Sequence, residues 1–200
     1  MSDATPSSLT RLMAEFEKLP GIGPRSAERL AFHVLKSSRD EALALAVAIR
    51  DVKEQVRHCR VCYNLTETDP CAICADARRE HGQIFVVAQP KDVLLLEATG
   101  LIRGVYHVLL GHIAPLDGVE PGDLTIDALV ARIKTGGIHE VVIATNPTME
   151  GEGTALHIKS LLAQTGVKIT QLARGLPTGS QLEYASRAVL QDAIEGRRDF

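Results

Sequence analysis

The 200-residue chain lacks an export signal, a membrane-length apolar run and a strong charge of either sign. Residues 1–13 hold no basic stretch followed by an apolar one, so secretion is not expected. The longest apolar runs are broken by charges or glycine and fall short of the roughly 20 residues that cross a bilayer. A cytoplasmic protein is the expectation. A net charge of −3 does not describe a broadly basic nucleic-acid binder, so any surface for a polyanion must be local. Residues 1–82 balance twelve Lys and Arg against twelve Asp and Glu, whereas residues 83–200 carry ten against thirteen. A polyanion would therefore meet the first part of the chain. There is no internal repeat, no low-complexity tract and no G-x-x-x-x-G-K-[ST] loop to support an ATPase. His107, His112 and His157 are scattered without a matched nucleophile and orienting acid, so no catalytic triad is expected.

Cysteine is sparse too, yet all four fall in one window as Cys59-x-x-Cys62 and Cys71-x-x-Cys74. Each pair makes a tight knuckle whose sulfurs converge, and residues 63–70 bring the knuckles together. Four soft thiolates in tetrahedral array suit Zn²⁺ and leave no open position, so one structural ion per chain is expected. The competing use of such pairs is two disulfides or redox dithiols. Disulfides need an oxidising compartment, and a lone redox pair does not come duplicated at close range.

Apolar spacing predicts a helix over residues 9–18 after a frayed terminus at 2–8, then helices over about 25–35 and 40–56. Past Gly82 the texture changes. Short β-branched runs at 84–88, 105–110, 140–144 and 168–172 alternate with helical stretches, one following Pro90-Lys91-Asp92 to about Ala98, the others at 126–134 and at 153–164. That alternation implies a parallel sheet with helices on its faces. Residues 182–194 read as a last helix.

Between the first two predicted helices lies Leu19-Pro20-Gly21-Ile22-Gly23-Pro24, a cluster that must turn. Pro24 suits the first position of a helix, where its missing N–H is no loss. Gly21 and Gly23 let the backbone curl and approach a ligand without Cβ atoms in the way. Their N–H groups and the start of the next helix make an anion site, with Ile22 plugged between the helices. Arg25 and Arg29, four apart, share the helix face beside it. Such a site grips a sugar–phosphate backbone without reading bases. The segment resembles the helix–hairpin–helix motif of non-sequence-specific DNA-binding proteins. It differs from a dinucleotide G-x-G-x-x-G because helices flank it and Ser26 stands at the third glycine position. The alternative is an ordinary helical connection with glycine for geometry alone.

Two stretches of the second half resemble Toprim motifs. Val86-Val87-Ala88-Gln89-Pro90 is similar to the first, in which a strand ends in glutamate; Asn146-Pro147-Thr148-Met149-Glu150-Gly151 is similar to the second, D-x-D-x-x-G. In Toprim enzymes those carboxylates hold Mg²⁺ and handle proton transfer. Here Ala88 offers no ligand, and Asn146 and Thr148 offer only neutral oxygens, whereas Mg²⁺ wants hard, charged ones. A scaffold without catalysis is expected, since neither metal clamp nor general base remains. Glu150 and Glu152 would hold a weak Mg²⁺, face a basic partner, or be solvated loop carboxylates. An active Mg²⁺-dependent nuclease would need replacements from these two or Asp92. Arg78-Arg79 and Arg197-Arg198 read as solvated charges, with DNA contact as the alternative.

The order of these parts, with Pro-Leu-Asp-Gly-Val at 115–119, Ala-Thr-Asn-Pro-Thr-Met-Glu-Gly-Glu at 144–152 and Leu-Pro-Thr-Gly-Ser at 176–180, resembles the RecR family of bacterial recombination proteins over nearly the whole chain. The resemblance implies an α/β fold with a small α-helical N-terminal part: a helix–hairpin–helix DNA-binding region at 1–57, a four-cysteine zinc finger at 58–80, a Toprim-like parallel sheet flanked by helices at 81–176 and a C-terminal segment at 177–200. It implies a non-catalytic mediator of recombinational DNA repair in gaps, associated with the nucleoid. RecO-like and RecF-like proteins would be its partners in loading RecA on single-stranded DNA. Gly21, Gly23, Arg25 and Arg29 would contact phosphates, and Cys59, Cys62, Cys71 and Cys74 would bind zinc. A homo-oligomer, dimer or ring tetramer, is implied as well, with the 40–56 helix a candidate subunit contact.

Overall fold

The computed structural model describes residues 5–197. The chain divides into two compact units, Met1–Val56 and Arg57–Phe200. In the first, helices α1 (Ser7–Glu17) and α2 (Pro24–Lys36) pack together. Ala27 and Ala31, one turn apart and fully buried, supply the small side chains of that contact beside Leu9. Helix α1 begins at Ser7, inside the stretch read as frayed, because the Pro6 carbonyl accepts the N–H groups of Leu9 (3.0 Å) and Thr10 (3.1 Å); residues 2–4 lie outside the described residues. Helix α3 (Arg39–Gln55) opens with a reciprocal cap, in which Ser38 Oγ accepts the Glu41 N–H at 3.2 Å and Ser38 N–H donates to Glu41 Oε2 at 2.9 Å. None of its residues is buried.

The second unit opens with the cysteine knuckles, which comprise a two-stranded antiparallel ribbon of β1 (Arg57–His58) and β2 (Leu65–Thr66) and the single turn α4 (Ala72–Ala75). Four parallel strands follow: β3 (Glu80–Val87), β4 (Gly104–Val108), β5 (Glu140–Ile143) and β6 (Lys168–Gln171), in spatial order β4-β3-β5-β6. They are joined through α5 (Pro90–Glu97), α6 (Ile126–Lys134) and α7 (Met149–Leu162). One sheet face packs Ile84, Val86, Val105, Val141 and Ile143 against Leu129 and Ile133 of α6 and Ile158 and Leu162 of α7. The other packs Phe85, Val87, Tyr106, Val108 and Val142 against Val93 and Leu96 of α5 and against Tyr63 and Ile73 of the knuckles. Both faces are covered, which is why the central strands read as unbroken apolar runs.

Other boundaries differ from the sequence reading as well. Strand β3 starts at Glu80 rather than Ile84, because Glu80 N–H bonds the Arg103 carbonyl at 2.8 Å, a tertiary pairing its polar sequence does not announce. Helix α7 starts at Met149 rather than Gly153. Thr148 Oγ1 caps it by accepting the Gly151 N–H at 3.1 Å, and Gly151 is there for close approach: a Cβ would lie 2.0 Å from the Asn146 carbonyl oxygen. The expected helix at 182–194 is a 3₁₀ turn (Leu182–Tyr184) and a separate α8 (Arg187–Glu195), whose N-terminus Ser186 caps.

Candidate functional sites: a glycine hairpin, a four-cysteine centre and a crevice at the sheet end

The α1–α2 turn is built as its residues suggest. Gly21 has φ +78°, a conformation side chains rarely adopt, and Ile22 N–H closes the turn on the Leu19 carbonyl at 3.1 Å. Ile22 is half-buried. Gly23 is extended and needs no such freedom, yet a Cβ there would meet nothing within 4 Å. The space beside it is open to a ligand. The N–H groups of Gly21, Gly23, Arg25 and Ser26 have no partner among the described residues. Arg25 and Arg29 are exposed and form no ion pair among those residues. Free N–H donors, a helix N-terminus and two unpaired guanidinium groups within nine residues of chain are the ingredients of an anion site.

The cysteines also meet as expected. Their four Sγ atoms lie within 4.8 Å of one another, with Cys62 and Cys71 Sγ 3.6 Å apart. A Zn–S bond of about 2.3 Å in a tetrahedron sets the sulfurs roughly 3.8 Å apart, so the cluster has the right size for zinc. Cys59, Cys62 and Cys71 are buried, and all four are free thiols. Backbone N–H groups point at sulfur, Cys71 to Cys59 at 3.3 Å and Cys74 to Cys71 at 3.5 Å, an arrangement that supports thiolate. The first knuckle is closed by Tyr63 N–H on the Cys59 carbonyl (2.9 Å), with Tyr63 at φ +62°. Burial, ahead of the neighbouring thiols, pushes Cys71 up to about 11, and hydrogen bonding to Cys74 with burial raises Cys62 further. Cys62 and Cys71 resist ionising by themselves, whereas at Cys59 burial opposes ionisation but backbone N–H bonds from Cys71, Val61 and Cys62 outweigh it and lower the pKa; a dication supplies the charge that lets the set ionise.

The knuckles are fastened to the edge strand β4. Val108 N–H donates to the Cys62 carbonyl at 2.8 Å, and the Tyr63 ring meets His107 edge-on at 5.4 Å. His107 is fully buried; its Nε2 bonds the Thr125 carbonyl (3.0 Å) and hydroxyl (3.1 Å), and its Nδ1 has no partner. The neutral ring donates from Nε2, and burial pushes its pKa down to about 4. It is a structural histidine. Arg79 departs from the reading as a solvated charge: its Nη1 bonds Glu97 Oε1 (2.9 Å) and the carbonyls of Ile102 (3.0 Å) and Gly104 (3.4 Å). The Tyr106 hydroxyl donates to the same carboxylate at 2.7 Å. Arg78, by contrast, is exposed and bonds Asp76. Arg198 lies outside the described residues.

Strand order reverses between β3 and β5, and the crevice at their carboxyl ends is where open α/β sheets bind ligands. Ala88 follows β3 and is buried; Asn146 and Thr148 follow β5, and the Thr148 hydroxyl is taken by the helix cap. A groove of about 280 Å³ beside them is lined by Asp92, Leu96, Asn146, Leu172 and Arg174. Glu150 and Glu152 sit in the first turn of α7, not in a loop, two residues apart and so on different sides of the helix. Glu152 is held by Arg174 and by Gln171 (3.0 Å), which lower its pKa, with Arg174 the larger cause. Glu150 lines a separate groove with Leu116 and Met149. The two do not converge on one ion. Sequence reasoning missed Arg79, Arg132 and Arg174, whose partners are distant in the chain.

Known proteins share this order of parts in their sequences. A family model for the RecR helix-hairpin-helix matches residues 9–53, one for the RecR four-cysteine zinc finger domain matches 56–76, and one for the Toprim domain matches 82–173. The recombination protein RecR of Rhodopirellula baltica is 54% identical over 191 residues, covering 96% of each chain. Those of Geobacter sulfurreducens and Rubrobacter xylanophilus are 52% and 51% identical over 193 residues, each covering 96% of this chain and 97% of the relative. With its hairpin, four-cysteine centre and parallel sheet in that order, the chain belongs to the RecR family of recombination proteins.

Proposed function

We propose that this protein is a non-catalytic DNA-binding mediator of recombinational repair. The observation that carries the reading is the hairpin, whose Gly21 and Gly23 N–H groups are unpartnered among the described residues and are followed in the chain by the exposed, unpaired Arg25 and Arg29. These contacts address phosphates, so binding is independent of base sequence and sensitive to salt. One Zn²⁺ per chain sits among Cys59, Cys62, Cys71 and Cys74 and fixes the knuckles against the sheet. The crevice turns over no DNA because Ala88, Asn146 and Thr148 bring no carboxylate to it. The partners are RecO-like and RecF-like proteins, with which it helps load RecA on single-stranded DNA; Glu150, open to solvent on α7, faces a basic partner.

A single hairpin that neutralises one or two phosphates binds weakly, and a symmetric oligomer repeats the site and gains avidity. Support for a subunit contact comes from α3, on which Leu43, Leu45, Val47, Ile49 and Val52 are all exposed. A helix apolar on most of its circumference is ordinarily buried against something. The test is gapped and duplex DNA titrated with the zinc-loaded chain and with Arg25→Glu/Arg29→Glu. Loss of binding in the variant, and intact strands after incubation with Mg²⁺, are expected. Metal-dependent cleavage lost in Glu150→Gln, or unchanged binding in the double variant, would overturn the reading.

A further inference from the structure

The four-stranded sheet has two edges, and they are finished differently. On β4 the outward carbonyls are all occupied. Those of Ile102 and Gly104 take Arg79 Nη1, that of Tyr106 takes Arg132 Nη1 at 2.7 Å, and that of Val108 takes Thr125 Oγ1 at 2.7 Å. Val108 N–H is held by Cys62. No strand can add there without displacing these partners. At the other edge, the N–H groups of Lys168 and Leu172 bond the carbonyls of His139 and Ile143, both at 3.1 Å. Even-numbered residues of β6 therefore face β5, and Ile169 and Gln171 turn both N–H and C=O outward, where no partner meets them among the described residues.

We propose that the open edge of β6 is a strand-addition site for an extended, alternately acidic and apolar segment of a partner protein. Open edges template strand pairing, and backbone hydrogen bonds give affinity while alternate side chains give specificity. The side-chain surroundings choose the occupant. Beside the edge, α7 and β6 form a groove of about 160 Å³ lined by Ala155, Leu156, Lys159 and Ile169, with Leu156 64% exposed. One face of an added strand packs there. The carboxylates nearby are already spent, Glu140 on Lys168 at 3.2 Å and Glu152 on Arg174, while Lys159 forms no ion pair among the described residues. The charge left over at this edge is positive, so acidic side chains complement it. The site is separate from the hairpin and the cysteine centre, and nothing in it depends on DNA.

The test uses the full, zinc-loaded chain and the probe acetyl-Glu-Val-Glu-Val-Glu-Val-amide, read by the amide resonances and hydrogen exchange of β6. The expected result is selective shifts and slowed exchange at Ile169 and Gln171. A Lys-for-Glu probe, and one N-methylated at the residues that face β6, should bind about threefold to tenfold more weakly, the worth of one or two backbone bonds or ion pairs. Ile169→Pro removes an outward N–H without touching the β5 pairing, so it should keep its circular dichroism and lose the probe. Lys159→Glu should reverse the preference between the acidic and basic probes. Equal binding of the N-methylated probe, shifts located elsewhere, or no shifts at all would overturn the proposal. So would concentration-dependent protection of Ile169 and Gln171 in the free protein, which would seat a second copy of the chain on this edge.

Discussion

At the residue scale, the strongest effects come from side chains whose surroundings leave them one state. His107 is neutral in the fold, since a proton on Nδ1 would find no acceptor. Its folded pKa lies near 4 against 6.5 in the unfolded chain. The unfolded state therefore takes up the proton first as pH falls, and stability is lost between pH 6.5 and 4 and no further below. The expected loss is at most about 3 kcal/mol, and urea titrations of His107→Gln should show a flatter dependence over that range. Gly151 is equally constrained. Alanine in a helix interior ordinarily gains roughly 1 kcal/mol over glycine. Here a Cβ 2.0 Å from the Asn146 carbonyl must push the β5–α7 loop aside. Gly151→Ala should destabilise by about 1–3 kcal/mol, the range for overpacking, visible as a lower thermal midpoint. At the hairpin each lost guanidinium contact should lower the slope of log affinity against log salt by roughly one. Measuring Arg25→Ala and Arg29→Ala at several salt concentrations checks it.

Elements show why a local motif has a wider reach. The zinc knuckle does more than hold itself together, because Cys62 offers its carbonyl to β4, an edge strand whose five residues are all buried. Chelating the metal should therefore loosen the outer side of Gly104–Val108, seen as faster amide exchange at Val108 before the rest of the sheet. Exposing that edge should also promote association between chains. Arg79→Ala should act on the same edge from its other end. It strands the half-buried Glu97 carboxylate and frees two carbonyls, at about 2–4 kcal/mol. An intact thermal midpoint in either case would show that Arg132 and Thr125 hold the edge unaided.

For the whole molecule, the proposed avidity rests on the number of hairpins brought together rather than on the strength of one. Charge introduced on the exposed apolar surface of α3, as in Leu45→Glu/Ile49→Glu, should reduce the mass seen by sedimentation and weaken DNA binding through lost avidity, while a folded chain persists. The chemistry of this protein was legible in its sequence where it is short-range. Cysteine spacing placed a zinc centre, Gly-Ile-Gly-Pro placed a turn between helices, and β-branched runs between helices placed a parallel sheet. Those features follow from local backbone geometry and from which residues can be ligands at all. Helix α7 starts before the expected Gly153 because the Thr148 cap and the close approach of Gly151 to the Asn146 carbonyl are set by the fold of the preceding loop. Arg79, Arg132 and Arg174 gave no signal, since their partners lie 18 to 26 residues away. Sequence alone determined which donor atoms are present at the cysteine centre and at the hairpin. Tertiary structure decided which strand edge is closed and which left open, because edge closure is made by side chains that reach carbonyls remote in the chain.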